Sequence, residues 1–388
     1  NGSFASLKEN VQYFNQKSYA ALVRTTDLEK GTFCPQRFTD KKGYEFLKKS
    51  SLNCGDIVIA NVGSAGKAYR VPDANMPMTL APNMYLVKFC KSMDNNFAFQ
   101  VITNEKFYSD LMSNVGSSTL NAINKSNFRS ISIFVPPLPE QKKIASILTS
   151  VDEVIENTQK QIDKLQDLKK ATMNELLTKG IGHTEFKDSE LGRIPKSWEV
   201  KSVGELYEDT KYLTSDSNEM PLFSLTMEHG LVSKPDRYIR DFLITDTSKD
   251  NYKSVRKGEL VMNPMNLRWG AISAHYERFD VCVSKYYNVL RGRDDQTSAL
   301  FYEALFQSKR FLNLYEKIAI GTLEEKKRVH WSDFQNIKVP VPPMQEQQRM
   351  ETVIEHFLAN ISRVMDRNSK YKSLKKSLMQ DLLTGKVR

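Results

Sequence analysis

Two stretches of the chain place apolar residues in alternating steps of four and three. In the first the series is Ile144, Leu148, Val151, Ile155, Thr158, Ile162 and Leu165. In the second it is Met350, Ile354, Phe357, Ile361, Val364, Asn368 and Tyr371. This alternation is a heptad seam, and it predicts two helices that each bury one narrow face against a partner, most simply each other. Each stretch runs for about 40 residues without Pro or Gly, so each helix spans roughly 60 Å. One polar residue, Asn368, interrupts the second seam. A buried amide there would fix the register at some cost in stability; alternatively, Asn368 marks a place where the pair opens to water.

Ahead of each seam the pattern changes from period 3.5 to period 2. Ile131, Ile133 and Val135 alternate as a strand does, and Pro136-Pro137 then ends the ladder. The same order recurs 206 positions later. Phe128 matches Phe334, Pro136-Pro137 matches Pro342-Pro343, and Glu140-Gln141 matches Glu346-Gln347. Lys169-Lys170 matches Lys375-Lys376, and Met173, Leu176 and Leu177 match Met379, Leu382 and Leu383. The unit of the chain is therefore a repeat.

The rest of each copy reads as a globular block of mixed strands and turns. Strands are predicted at 19–23, at GDIVIANV from Gly55, and at 85–89; helical spacing runs over 97–112, with Phe99, Ile102, Phe107 and Leu111 on one side. In the second block GELVMNP from Gly258 answers GDIVIAN, KYYNVLR answers NMYLVKF, and LFYEALFQSKRFLNLY answers FAFQVITNEKFYSDLM. The blocks have diverged far more than the helices. The second opens on GRIPKSWEV, whereas Asn1 stands opposite Ser202, so the first block is read as lacking its opening segment. Four segments result: blocks 1–137 and 183–342, and helices 138–182 and 343–388.

Charge adds a partner class. The net charge is +10. Residues 1–137 hold 16 Lys+Arg against 10 Asp+Glu, and residues 343–388 hold 9 against 5, while the other two segments balance. A basic excess in one block and one helix fits a polyanion. Cys34, Cys54, Cys90 and Cys282 form no CxxC pair, which predicts reduced thiols rather than a disulfide frame or a zinc site. No apolar run is long enough to span a membrane and no signal peptide is read, so a cytoplasmic protein is expected.

Catalytic motifs are weak. Val135-Pro136-Pro137-Leu138 and Val341-Pro342-Pro343-Met344 have prolines but neither the Asn/Asp acceptor nor the aromatic that an amino-methyltransferase needs. Asn263-Pro264-Met265-Asn266 has the acceptor alone. Gly63-Ser64-Ala65-Gly66-Lys67-Ala68 is too short for a Walker loop, and Ala68 replaces its Ser/Thr. The five histidines have no metal-binding spacing, and Glu324-Glu325-Lys326 lacks the upstream Pro-Asp of a nuclease. The same loops suit DNA contact better. Ser64, Lys67 and Arg70 follow the first GDIVIAN-type strand, and Asn266, Arg268 and Trp269 follow the second. Arg can fork onto guanine, Asn onto adenine, and Lys can neutralise phosphate. Lys326, Lys327 and Arg328 form a second basic cluster. On the helices, Ile147, Val154, Val353, Met365 and Leu383 lie off the seam and are expected to face outward, as docking points for further helices.

The PPLPEQ-to-LLTKG stretch and the LGRIPKSWE entry resemble the specificity (S) subunit of type I restriction-modification systems. The likeness covers essentially the whole chain; it is strong in the helices and the entry motif and weak inside the blocks. It implies an α+β, pseudo-twofold fold: two target recognition domains of mixed α/β structure, joined by two long helices that pair as an antiparallel coiled coil. It also implies a non-catalytic subunit of a DNA adenine methyltransferase and restriction endonuclease complex. Each domain would read half of a bipartite site on double-stranded DNA, and the helices would set the half-site spacing. The partners would be methyltransferase (M) and restriction (R) subunits, with S-adenosylmethionine on M and no cofactor here. A free-standing DNA-binding scaffold without an enzyme partner is the alternative.

Overall fold

The computed structural model describes residues 4–29, 33–113, 122–214, 220–227, 229–233 and 252–384. Part of the 113–127 loop and residues 385–388 lie outside them. The chain divides into two compact units: residues 1–159 with 366–388, and residues 160–365. Each unit thus combines one block with part of each long helix.

Both helices form, over Leu138–Lys179 and Met344–Leu383. Every residue of the two seams is buried or half-buried. In the first unit Asp152 Oδ1 lies 2.6 Å from Lys375 Nζ, and seven residues on, Gln159 Oε1 accepts from Asn368 Nδ2 at 3.0 Å. A step forward on one helix is matched by the same step backward on the other, so the segments run antiparallel. Ile144, Ala145 and Leu148 share a core with Met379 and Leu383. In the second unit Met173 and Leu177 share a core with Met350 and Ile354. Asn368 is 3% exposed, and its Oδ1 has no partner. This is the buried-amide case, not the opening to water.

In the first block a five-stranded sheet runs in the order Tyr13–Phe14, Phe38–Thr39, Ala20–Val23, Met78–Leu80, Ser51–Leu52. A second sheet has Ile57–Ala60 between Ala68–Arg70 and Met84–Val87. The predicted helix over 97–112 divides into Asn95–Ile102 and Glu105–Ser113. Asn104 Oδ1 accepts from the Lys106 N–H, opening a new helix where one continuous helix was expected.

The second block repeats the second of these sheets. Leu260–Met262 lies between Ile272–Ala274 and Asn288–Gly292, with Tyr207–Asp209 added at one edge. Helices Ala299–Phe306 and Lys309–Ile318 follow. The cap residues correct the alignment made from sequence. Asp94 caps the first helix of one pair and Ser298 that of the other. Phe97 therefore stands opposite Phe301, not Leu300, and Phe107 opposite Phe311.

One glutamine anchors each block to its helix. Gln141 Oε1 accepts from the Asp94 N–H at 2.8 Å, and its Nε2 donates to the carbonyls of Ser92 (3.0 Å) and Pro136 (2.8 Å). Gln347 makes the same three bonds, to the Ser298 N–H (3.0 Å) and to the carbonyls of Gln296 and Pro342 (both 2.9 Å).

The strand predicted ahead of each helix forms once. Lys338–Val341 pairs antiparallel with Glu199–Ser202. Ile131, Ile133 and Val135 enter no sheet among the described residues. A ladder needs a partner, and the partner in the second unit belongs to the entry segment.

Candidate DNA-contact loops

Each block turns back after its central strand through a glycine in the left-handed region, Gly66 (φ 85°) and Gly270 (φ 88°). Both turns sit on the second helix of the following pair. A Cβ on Gly66 would lie 2.9 Å from the Tyr108 ring, and one on Gly270 would lie 3.7 Å from Leu312. Tyr108 and Leu312 are equivalent positions, so the loops are seated alike, and glycine is required by conformation in both and by space in the first.

What the loops present differs. In the first, Glu29 gathers three side chains. Its Oε1 accepts from Ser64 Oγ (2.7 Å) and Tyr69 OH (2.8 Å) and lies 3.9 Å from Lys67 Nζ. The Ser64 and Tyr69 hydroxyls hold the Glu29 carboxyl below its usual range, while burial and Glu29 push the Tyr69 phenol up to about 12. Arg70 donates to Asn96 Oδ1 at 2.6 Å and stacks 4.6 Å over Phe99. Of the three residues expected here, Lys67 is the one with an exposed head; Ser64 and Arg70 are engaged within the protein.

In the second block, Arg268 is not available for guanine. Its side chain is 1% exposed. Nη1 donates to both Glu316 oxygens at 3.0 Å and to Glu324 Oε1 at 2.6 Å; Nη2 donates to the Glu324 carbonyl at 2.7 Å. The bonds from Glu324 and Glu316 raise the guanidinium pKa further. Lys327 Nζ joins Glu324 at 2.7 Å and lies 3.8 Å from Glu316. The Val329 N–H reaches the Pro264 carbonyl at 3.0 Å. These bonds draw together two regions that sequence left separate, the 263–270 loop and the 324–328 cluster. Glu324 is thus a counterion. Around this latch Trp269 (52% exposed), Met265, Lys326 and Arg328 face solvent, and Asn266 is half-buried. Sequence reasoning missed Tyr286, exposed at the turn between Val281–Ser284 and Asn288–Gly292. The KYYN run between two strand patterns was the available signal.

On the helices Ile147, Val154 and Met365 are exposed as expected, and Val353 is half-buried. Leu383 is a correction: it is 9% exposed and lies in the first unit's core, because the end of the second helix packs there against the block. Exposed Leu168 lies two heptads beyond Val154, and exposed Leu358 one heptad before Met365. Each helix therefore exposes apolar residues off its seam. No helix among the described residues is long and apolar enough to cross a membrane.

The family described as "Type I restriction modification DNA specificity domain" matches this chain twice, at residues 6–167 and 195–369. The chain is 28% identical over 359 residues to the type I restriction enzyme MjaVIII specificity subunit of Methanocaldococcus jannaschii, covering 88% of this chain and 81% of that protein. It is 27% identical over 288 residues to the putative MjaX specificity subunit of the same organism, covering 69% and 62%. In fold it is similar to a chain from a study of complex assembly and conformational transition in a type I restriction-modification system (TM-score 0.55, 14% identity, covering 97% and 92%). It is also similar to the S subunit from M. genitalium (TM-score 0.53, 14% identity, covering 97% and 94%).

Proposed function

Because this chain belongs to the type I restriction modification DNA specificity family, we propose that it reads DNA for a restriction-modification complex and carries out no chemistry itself. Each block contacts one half of a two-part site on double-stranded DNA. The carrying observation is that two diverged blocks seat the same glycine turn on the same helix position yet expose different side chains. A conserved seat with variable contents is what two independent readers require.

In the first block Lys67 supplies a phosphate contact. In the second, Asn266 and Trp269 lie closest to the bases, Asn as an adenine fork and Trp as an apolar or stacking surface, and Lys326 and Arg328 bind phosphate. Arg268 and Lys327 hold that surface in place. The exposed apolar residues (Ile147, Val154 and Leu168; Leu358 and Met365) dock the helices of methyltransferase subunits, which bind S-adenosylmethionine and methylate adenine. Restriction subunits complete the cleaving complex.

The test is the methylated motif in cells that co-express the chain with a methyltransferase subunit. Asn266→Ala is expected to relax one half-site by about 1–3 kcal/mol and leave the other unaltered. Lys67→Ala is expected to lower affinity for all sequences and reduce the salt slope by about 1. Val154→Glu is expected to abolish co-purification with the methyltransferase while the chain stays folded. Methylation by the chain alone would overturn the reading, as would an Asn266→Ala motif unchanged in both halves.

A further inference from the structure

The glycine loop of each block has a neighbour at its end of the sheet. In the first block Ala60 faces Met84 across the ladder. The 61–67 loop leaves one strand there, and the turn 81–83 enters the other. The Asn61 N–H donates to the Asn83 carbonyl at 3.0 Å, which ties loop and turn together. In the second block Met262 faces Asn288, so the 263–270 loop and the turn 285–287 also share one end. Each turn carries the chain between sheets. Met78–Leu80 and Val281–Ser284 lie in one sheet of their block, Met84–Val87 and Asn288–Gly292 in another.

The ladders fix which turn residues correspond. Ile57 faces Val87 and Ile59 faces Tyr85; in the second block Leu260 faces Leu290 and Met262 faces Asn288. Counting back from these pairs makes Tyr286 the equivalent of Asn83, where the sequence match put Lys285. Asn83 is exposed, and its amide has no partner among the described residues. Tyr286, at 78%, is the most exposed large hydrophobic side chain among them, and Lys285 Nζ lies 5.9 Å over its ring. Beside Asn83 a groove of ≈ 670 Å³ reaches to Gly63, with Lys8, Arg24 and Arg37 but no carboxylate in its lining. Arg24 is held by Asp27, whereas Lys8 and Arg37 have no ion-pair partner among the described residues.

On the reading that each block contacts one half-site, we infer that this tip position determines specificity in both blocks. Asn83 does so for the half contacted by the first block, Tyr286 for the half contacted by the second. Asn83 forks onto the N6 and N7 edge of an adenine, with Lys8 and Arg37 on the flanking phosphates. Tyr286 lays its ring against a base edge, and Lys285 takes a neighbouring phosphate. Each block then reads with two loops.

The experiment reads the methylated motif genome-wide in cells that co-express the whole chain with a methyltransferase subunit. Tyr286→Ala is expected to lower discrimination at one base pair roughly 5- to 150-fold, in the same half-site that Asn266→Ala relaxes. Asn83→Gly removes the amide and suits the backbone there, at φ 67°. It is expected to relax an A·T pair in the other half to a similar extent. Tyr286→Phe keeps the ring and is expected to recover most of the discrimination lost in Tyr286→Ala. Amide exchange at 57–60 and 260–262 is the fold check, expected to match the parent in each variant. Methylation lowered equally at all sequences would make the two residues phosphate anchors and overturn the inference. A motif that either substitution left unaltered, while Asn266→Ala still relaxed its half, would overturn it and leave the half-site reading standing. A parental motif without two halves would overturn that reading, and this inference with it.

Discussion

Two neighbouring residues of the repeat, Glu-Gln, have had opposite fates in the two units. Gln141 and Gln347 make the same three hydrogen bonds with nearly the same lengths. Glu346 holds Trp198, His183 and a backbone N–H, whereas Glu140 holds nothing among the described residues. The glutamine joins each helix to its own block, so its partners came with the duplication. The glutamate's partners in the second unit come instead from the segment that follows the first long helix: the Ile181 N–H, His183 and Trp198. The same contrast separates the two glycine-turn loops: their seat on Tyr108 or Leu312 is kept, while Lys67 in one and Trp269 in the other are what the blocks changed.

The largest effect should come from removing the buried indole of the second unit. Trp198→Ala should cost the second unit about 3–5 kcal/mol, as expected for a large side chain deleted from a core. Segment-resolved hydrogen exchange should show the loss at 252–341 and little change at 57–111. An equal loss in both units would break the contrast. The glutamine pair should come next. Gln141→Ala and Gln347→Ala each leave a helix-capping N–H and two carbonyls without their bonds, for about 2–4 kcal/mol in the affected unit. The two costs should agree within about 1 kcal/mol; a wide disparity would mean that matching distances hide unequal roles.

How much of this was legible depends on where each partner lies. The seams were readable because a heptad is a local signal, and the Glu-Gln identity stood out in the repeat. The use of the glutamine was not readable, since its partners are main-chain groups that carry no sequence signature. Arg268 looked like a free reading residue because its counterions Glu316 and Glu324 lie 48 and 56 residues away. Ile131, Ile133 and Val135 had strand alternation, yet a strand exists only when another pairs with it. Leu383 looked outward because its neighbours belong to a block more than 250 residues earlier in the chain.

The smallest effect is a pH dependence of the first loop that runs through Glu29. The Glu29 carboxyl is held below its usual range by Ser64 and Tyr69. A lowered folded value contributes stability that is present above the unfolded value of about 4.3 and is lost as pH falls through the folded value. Protection of the amides at 61–67 should therefore fall on acidification below about pH 4. The 263–270 loop is tied to a different carboxylate, Glu324, which Lys327 and Arg268 hold below its usual range, so Glu29→Gln should abolish the acid response in the first loop and leave that of the second as it was. An unaltered acid response in Glu29→Gln would remove Glu29 from the account.

The glutamine anchor reaches only peptide groups: an N–H at the start of a helix, and carbonyls two residues earlier and at the double proline. It is therefore blind to side-chain identity. Any block that brings a helix start of the right shape can be fastened by it, whatever residues it displays elsewhere. The join between block and helix then behaves as a standard fitting. The contents of a block are free to change in single substitutions, or by exchange of a whole block cut at the double proline, without renegotiating the attachment.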